Sequence, residues 1–154
     1  MRLYILRHAN AETEAATDSA RELSEKGREQ AHKVAQFCAR HGIRPDVIFA
    51  SPLVRAQQTA KPVAKELGME ITTAPWLSCG ATPEGILAKI PILKDPAAVM
   101  LVGHEPDLGE LIAHLLGGVR GSINVRKASL TFIEVMLPRM GGGRLEFSIP
   151  ARMM

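Results

Sequence analysis

The sequence is poor in cysteine and has no long apolar run. Its two cysteines, Cys38 and Cys79, are too few for a disulfide scaffold, and neither lies in the C-x-x-C spacing of thiolate zinc sites. We therefore expect both to be small, buried apolar side chains. The apolar run near the N-terminus covers only residues 3–6, whereas a membrane span needs about 20 residues. These features predict a soluble, cytoplasmic protein with no membrane partner.

Internal repeats, low-complexity linkers and clustered basic tracts are also missing. Because the lysines and arginines are scattered, we expect no nucleic-acid partner. The 154 residues are 46% apolar and 23% charged, an ordinary globular mixture that excludes global disorder. A chain of this size forms one core, so we expect a single domain over residues 1–154. The formal net charge of +3 suits an anionic ligand.

Short apolar runs alternate with segments that have helical spacing and helix-capping residues. The runs predict buried strands at residues 3–6, 47–50 and 99–102, and residues 70–73 predict a weaker strand. The capping residues and glycine stops predict helices from Ser24 to about 40, from Ser51 to about 67, from Thr82 to about 90 and from 106 to 116. Pro62 lies inside the second helix and is expected to kink or split it.

The last part of the chain has a different pattern. Residues 130–137 and 144–149 flank a glycine-rich turn, which predicts a C-terminal β-hairpin. Leu145, Phe147 and Ile149 alternate with polar residues, so we expect them on one buried face. Alternation of strands and helices predicts an α/β fold with a mostly parallel sheet, and the hairpin makes that sheet mixed.

Polar segments follow the three clearest predicted strands directly. They contain Arg7 and His8 after the first strand, Arg55 after the second, and His104 after the third. Ligands of such sheets bind outside the carboxyl ends of the strands, where these segments would meet. Two guanidiniums, two imidazoles and the N-terminus of the second helix predict an anion site at this edge.

The same segments resemble the motifs of a known family. Residues 6–9 (LRHA) resemble the L-R-H-G/A signature of the histidine phosphatase superfamily, which includes phosphoglycerate mutases and acid phosphatases. Residues 51–60 (SPLVRAQQTA) and 102–106 (VGHEP) resemble its second and third motifs. The short chain and the segment 18–27 (DSARELSEKG) are similar to the SixA-type phosphohistidine phosphatases of that superfamily. The resemblance implies a three-layer αβα sandwich of the phosphoglycerate mutase type.

The resemblance also implies roles for the clustered residues. His8 would be the nucleophile that is transiently phosphorylated, while Arg7, Arg55 and His104 would bind the phosphoryl group without a metal or other cofactor. Neighbouring arginines disfavour imidazolium, so we expect a lowered pKa for His8. A fixed tautomer requires its other ring nitrogen to donate to a backbone carbonyl.

Three further residues are weaker candidates. Arg21 matches the arginine of the SixA-like segment and is either a substrate contact or a solvated side chain paired with Asp18. Asn10 either donates to the site or is a turn residue. No general acid is evident between Arg55 and His104: among the carboxylates there, which include Asp95, only Glu84 is a candidate.

The short interval between Arg55 and His104 helps to predict the size of the substrate. It leaves little room for a helical cover, so we expect an open groove that admits a folded partner. The leading hypothesis is a monomeric phosphatase acting on a histidine-phosphorylated phosphotransfer protein. The first alternative is hydrolysis of a small phosphoester or phosphoanhydride at the same site. A phosphate-binding module without activity and a zinc site at His8 and His104 are less favoured, because the nucleophile is present and no third metal ligand is evident.

Overall fold

The computed structural model describes residues 1–90 and 97–154, and within them one sheet is flanked by helices. The strands are β1 (Arg2–Arg7), β2 (Val47–Ala50), β3 (Ile71–Thr73), β4 (Ala98–Gly103), β5 (Ser129–Val135) and β6 (Gly143–Pro150). The α-helices are α1 (Glu25–Arg40), α2 (Val54–Leu67), α3 (Pro83–Lys89) and α4 (Asp107–Leu115). Short 3-10 helices cover Asp18–Ala20, Pro75–Leu77 and Ala151–Met153. None of the helices described is both long and apolar enough to cross a membrane.

The sheet is mixed, as predicted, and its order is β3-β2-β4-β1-β5-β6. The first four strands of the chain are parallel to one another, whereas β5 is antiparallel to β1 and forms an antiparallel hairpin with β6. The carboxyl ends of β1, β2 and β4 therefore lie next to one another. Register pairs Arg7 with Gly103 and Ala50 with Val102 at this edge.

The chain size predicts one core, but two hydrophobic cores lie on opposite faces of the sheet, because helices cover the sheet on both sides. Tyr4 and Leu6 of β1 pack with α1 and α2, while Leu3 and Ile5 pack with α3 and α4. This alternation is the two-residue period of a strand that is covered on both faces. Burial of each leucine or isoleucine contributes roughly 1.5–3 kcal/mol, so both helix layers are held by the same strand. The arrangement confirms the predicted three-layer sandwich.

The predicted start of α2 at Ser51 is wrong by three residues. Ser24 and Thr82 cap α1 and α3 as predicted, each accepting a hydrogen bond from the amide three residues on. Helix α2, by contrast, begins at Val54, and its N-cap Leu53 makes no side-chain cap. The Ser51 hydroxyl instead bonds the His104 ring, so a tertiary contact overrides the local capping signal.

Helix α2 continues through Pro62, so of the two predicted effects, a kink or a split, the split does not occur. Proline removes one helical hydrogen bond, and its ring crowds the preceding turn. The neighbouring Val63 and Ala64 are buried against the core. Their packing stabilises the second half of the helix, because tertiary contacts supply most of the stability of a helix in a protein.

Two burial predictions near the surface are wrong. Cys38 is buried as expected, but Cys79 is exposed in the turn after the Pro75–Leu77 helix, where Leu77 is the residue that enters the core. Leu145 is 46% exposed, while Phe147 and Ile149 are half-buried. A bulge pairs Phe132 with Phe147 but Ile133 with Leu145. The extra residue turns Leu145 to the opposite face of this edge strand, so the simple alternation fails.

Candidate active site

The three polar segments meet at the carboxyl edge of the sheet, as predicted. His8 directly follows β1, and its amide donates to the Gly103 carbonyl of β4 at 3.0 Å. Ser51 directly follows β2, and its amide donates to the Val102 carbonyl at 2.9 Å. His104 directly follows β4, and its ring centroid lies 5.2 Å from that of His8. The parallel register therefore brings residues that are far apart in sequence into one cluster.

His8 is held as a neutral imidazole in a single tautomer. Its Nδ1 lies 2.7 Å from the Ala9 carbonyl oxygen, which can only accept, so Nδ1 donates and Nε2 keeps its lone pair. The ring is only 7% exposed. The pKa of His8 is lowered to about 3, chiefly by burial; the hydrogen bond to Ala9 opposes this shift, and the charges of His104, Arg55 and Arg7 add smaller lowering effects. The expected effect of the arginines is present, but desolvation is the larger cause.

His104 is also neutral, and it is held by a side chain. Its Nε2 lies 2.7 Å from the Ser51 hydroxyl, while its Nδ1 is buried and has no hydrogen-bond partner among the described residues. Burial and then the Arg55 charge lower the pKa of His104 to about 4, against the opposing effect of Asp18. The sequence analysis missed Ser51 as a partner of this ring, although it is the first residue of the second motif.

Backbone carbonyls position the two guanidiniums. Arg7 Nη1 donates to the Val125 carbonyl at 2.6 Å, and Arg55 Nη1 donates to the Asp18 carbonyl at 2.7 Å. Arg55 also pairs with the Asp18 carboxylate at 3.1 Å. The Nε atoms of both arginines are buried without a hydrogen-bond partner in the part of the chain described. Donors held in this way are pre-oriented for an oxyanion, and the N-terminus of α2 beside Arg55 adds to the positive potential.

Arg21 is connected to Arg55 through Asp18, whose carboxylate pairs with both guanidiniums. Its Nη1 pairs with Asp18 at 3.0 Å, and its Nε donates to the Glu12 carbonyl at 2.7 Å. The Arg21 and Arg55 guanidiniums hold the pKa of Asp18 below its usual range, so this carboxylate stays ionised near neutral pH. Asp18 thus bridges the two arginines, a role that the sequence analysis did not predict.

Asn10 uses its amide within the protein. Its Nδ2 donates to the Ser24 hydroxyl at 2.8 Å, and its Oδ1 accepts from Lys127 at 3.1 Å. The backbone amide of Asn10 donates to Gln30 at 2.9 Å. These bonds fix the loop after β1 against the start of α1, which is the turn role considered above.

The described carboxylates considered as general acids already have hydrogen-bond or ion-pair partners within the protein. Glu105, next to His104, accepts from the amides of Gly109 and Val125. Glu84 lies 3.5 Å from His114 at the C-terminal end of α4, whereas the site lies at the N-terminal end of that helix. The predicted role of Glu84 as general acid therefore has no geometric support. Asp95 lies outside the described residues.

The described residues contain no group of three or more histidine, cysteine, aspartate or glutamate side chains arranged to hold a metal ion. His8 and His104 converge without a third ligand of this kind. The cluster is instead a cationic site with two neutral imidazoles. Such a site binds an oxyanion and presents a ring nitrogen to it.

Comparisons with known proteins agree with this chemistry. A family model of the histidine phosphatase superfamily (branch 1) matches residues 3–78. A phosphohistidine phosphatase SixA homolog of Haemophilus influenzae is 34% identical over 76% of this chain and 78% of that protein. The phosphohistidine phosphatase SixA of Escherichia coli K12 is 28% identical over 77% of this chain and 76% of that protein.

The fold is similar to a solved structure of the protein histidine phosphatase SixA complexed with tungstate. The TM-score is 0.86 at 23% identity, with 99% of this chain and 98% of that chain covered. The predicted phosphoglycerate mutase-like fold is thereby confirmed. With the sequence relatives above, these findings show that the chain belongs to the histidine phosphatase superfamily and, within it, to the SixA-type phosphohistidine phosphatases.

Proposed function

We propose that this chain hydrolyses phosphohistidine on a phosphotransfer protein through a phosphorylated His8. The observation that carries the proposal is the state of His8, a neutral ring whose Nδ1 donates to Ala9 at 2.7 Å. Its Nε2 therefore holds a lone pair in a site with the guanidiniums of Arg7 and Arg55. A nucleophile in a cationic site is what phosphoryl transfer requires.

The reaction has two displacement steps. In the first, Nε2 of His8 attacks phosphorus, the P–N bond of the substrate breaks, and the bonding pair goes to the departing imidazole nitrogen. In the second, water attacks the phosphorus on His8, the P–Nε2 bond breaks, and inorganic phosphate and neutral His8 are formed. Arg7 and Arg55 stabilise the charge on the equatorial phosphoryl oxygens in both steps.

His104 supplies a third contact in this proposal. The Ser51 hydroxyl accepts from the Leu53 amide at 3.3 Å, which leaves its own proton to donate to Nε2 of His104. The ring then carries its proton on Nδ1, the atom without a partner among the described residues. This N–H is the donor that we assign to a phosphoryl oxygen.

The leaving group favours a phosphoramidate over an alkyl phosphoester. Asp18 is held ionised by two arginines, and Glu105 accepts from two backbone amides. Neither carboxylate is a ready proton donor, and an alkoxide leaves poorly without one. An imidazole leaves as a neutral base once its other nitrogen is protonated. The names of the SixA relatives support the same substrate class.

The accessory residues act on the site indirectly in this proposal. Arg21 fixes Asp18, which in turn fixes Arg55, and Asn10 fixes the loop after β1. Direct contact of Arg21 or Asn10 with substrate stays a prediction. We propose a cytoplasmic monomer, because one chain supplies the whole cluster and both cysteines are free thiols.

The test is phosphate release from a phosphohistidine peptide in EDTA by the wild type, His8→Ala and His32→Ala. His32 is an exposed histidine of α1, so its replacement is the matched control. We expect release by the wild type and the control, none by His8→Ala, and a phosphorylated His8 after alkaline quenching. Hydrolysis of a sugar phosphate but not of the peptide would instead support the small-phosphoester alternative. Loss of activity in EDTA would contradict a metal-free site.

A further inference from the structure

A groove beside the active site is lined by five cationic side chains and, among the described residues, by no carboxylate. The cations are Arg7, Lys26, Arg126, Lys127 and Arg152, and we call this surface the basic groove. Arg7 belongs to the phosphoryl site as well, so the groove and the site are continuous. The groove holds five of the 19 lysines and arginines of the chain and, among the described lining residues, none of its 16 aspartates and glutamates.

The cations of the basic groove are not neutralised within the protein. Arg21, Arg55 and Arg144 have ion pairs elsewhere, but Lys26, Arg126, Lys127 and Arg152 have none in the part of the chain described. Partial burial and the nearby charges of Arg7, Arg21 and Lys26 lower the pKa of Lys127. These like charges repel one another and weaken the folded state, so the fold does not account for their grouping.

Lys26 also lies at a position where its positive charge disfavours folding, in this case within a single helix. It lies in the first turn of α1, two residues after the cap Ser24. The dipole of a helix disfavours a cation at this end by a few tenths of a kcal/mol or more. Glu25 in the same turn offsets part of this cost, but Glu25 does not line the groove, whereas Lys26 adds its charge to it.

The wall of the basic groove is fixed to the catalytic strand. The amide of Ala128 donates to the carbonyls of Arg7 and His8 at 3.2 Å, and Ala128 has a φ of +55°. A left-handed backbone is uncommon for alanine and is held there by its surroundings. Val125 is tied to Arg7 through its carbonyl and to Glu105 through its amide. Arg126 and Lys127 lie between these anchors, so the groove is pre-organised for binding.

We propose that the basic groove docks an acidic face of the histidine-phosphorylated partner and thereby orients its phosphohistidine toward His8. The inference rests on the proposed function and deepens it by naming how the partner is recognised. Charge complementarity favours aspartate and glutamate side chains as occupants. No aromatic side chain lines the groove among the described residues, so it lacks the stacking platform of a single-stranded nucleic-acid site.

The test compares two phosphohistidine peptides that differ only in their flanks. One carries four glutamates beside the phosphohistidine, and the other carries glutamines at the same positions. The groove variant is Lys26→Glu/Arg126→Glu/Arg152→Glu, which leaves the phosphoryl site intact. The matched control, Lys33→Glu/Lys61→Glu/Lys65→Glu, reverses three exposed cations on α1 and α2. Binding of the unphosphorylated peptides is measured in parallel by fluorescence anisotropy.

We expect the wild type and the control to prefer the acidic peptide in kcat/KM by roughly tenfold at low salt. The preference should shrink as sodium chloride is added and disappear in the groove variant. Equal kcat/KM on both peptides, or a preference that survives in the groove variant, would overturn the inference. Binding of a single-stranded oligonucleotide that persists at a salt concentration at which the acidic peptide no longer binds would assign the groove to nucleic acid instead.

Failure of the proposed function gives a different result. Neither phosphopeptide would then be hydrolysed, but the anisotropy arm would still report on the groove. Binding of the acidic peptide to the wild type and not to the groove variant supports docking whatever the chemistry. No binding to the wild type would overturn it.

Discussion

Acidification should destabilise this fold steeply, because both histidines of the site are held neutral by burial. An unfolded chain protonates each of them near its usual pKa of about 6.5. The folded chain does not, since burial lowers the pKa of His8 to about 3 and that of His104 to about 4. Between these limits the unfolded state binds protons that the native state does not, so stability falls as the pH is lowered.

The magnitude follows from the same pKa values. Well above pH 6.5 both rings are neutral in the folded and in the unfolded chain, so their titration lowers the free energy of unfolding by almost nothing. It grows as the pH falls and stops growing once the folded-state pKa is reached. Each histidine costs about 2 kcal/mol between pH 7 and pH 5, or about 4 kcal/mol for His8 and His104 together. That is a large share of the typical 5–15 kcal/mol stability of a domain.

Urea unfolding at pH 7 and pH 5 measures this effect in the wild type and in His8→Asn/His104→Asn. The free energy of unfolding should fall by about 4 kcal/mol more in the wild type than in the variant, since all other titrating groups are shared. The control His32→Asn should behave like the wild type. If the wild type and the double variant lose stability equally, the two rings are not held neutral, and the nucleophile assignment loses its physical basis.

Three further substitutions test individual contacts. Ser51→Ala removes the hydroxyl that bonds His104 and should lower kcat/KM about tenfold, the value of one hydrogen bond, with urea unfolding reporting an intact fold. Arg55→Lys replaces the planar guanidinium, which can donate two parallel hydrogen bonds to an oxyanion, by a single ammonium group. This variant should lower kcat/KM about a hundredfold when assayed in the presence of EDTA. Gly27→Ala should destabilise the protein by roughly 3 kcal/mol in urea unfolding instead of favouring its helix, because the new Cβ would lie 1.9 Å from the Asn10 carbonyl oxygen.

The parts of the fold that the sequence predicts are those where local and tertiary preferences agree. Ser24 both caps α1 and lies where the chain must turn from the loop into the helix. The apolar run at residues 3–6 is buried on both faces, as a central strand requires. The errors arise where one residue serves a distant partner or a bulge shifts the register, as at Ser51 and Leu145.

The active site, like the fold, has features that the sequence predicts and features that it does not. The positions of Arg7, His8, Arg55 and His104 follow from one rule, that parallel strands bring their carboxyl ends together. The contacts that orient those side chains cannot be found from local patterns. Arg55 reaches Asp18 across 37 residues, His104 reaches Ser51 across 53, and Arg7 reaches Val125 across 118.

Residues that contradict local helix and backbone preferences are concentrated at the carboxyl edge of the sheet. Arg55 and Lys26 are cations in the first turns of α2 and α1, where the helix dipole disfavours positive charge, although Glu25 offsets part of this in α1. Ala128 adopts a left-handed backbone beside the carbonyl of His8. Each of these features costs stability locally, and all of them raise or fix positive charge around one point. A phosphoryl group bound there would be stabilised by the same charges that weaken the empty fold, so its binding should relieve the conflict.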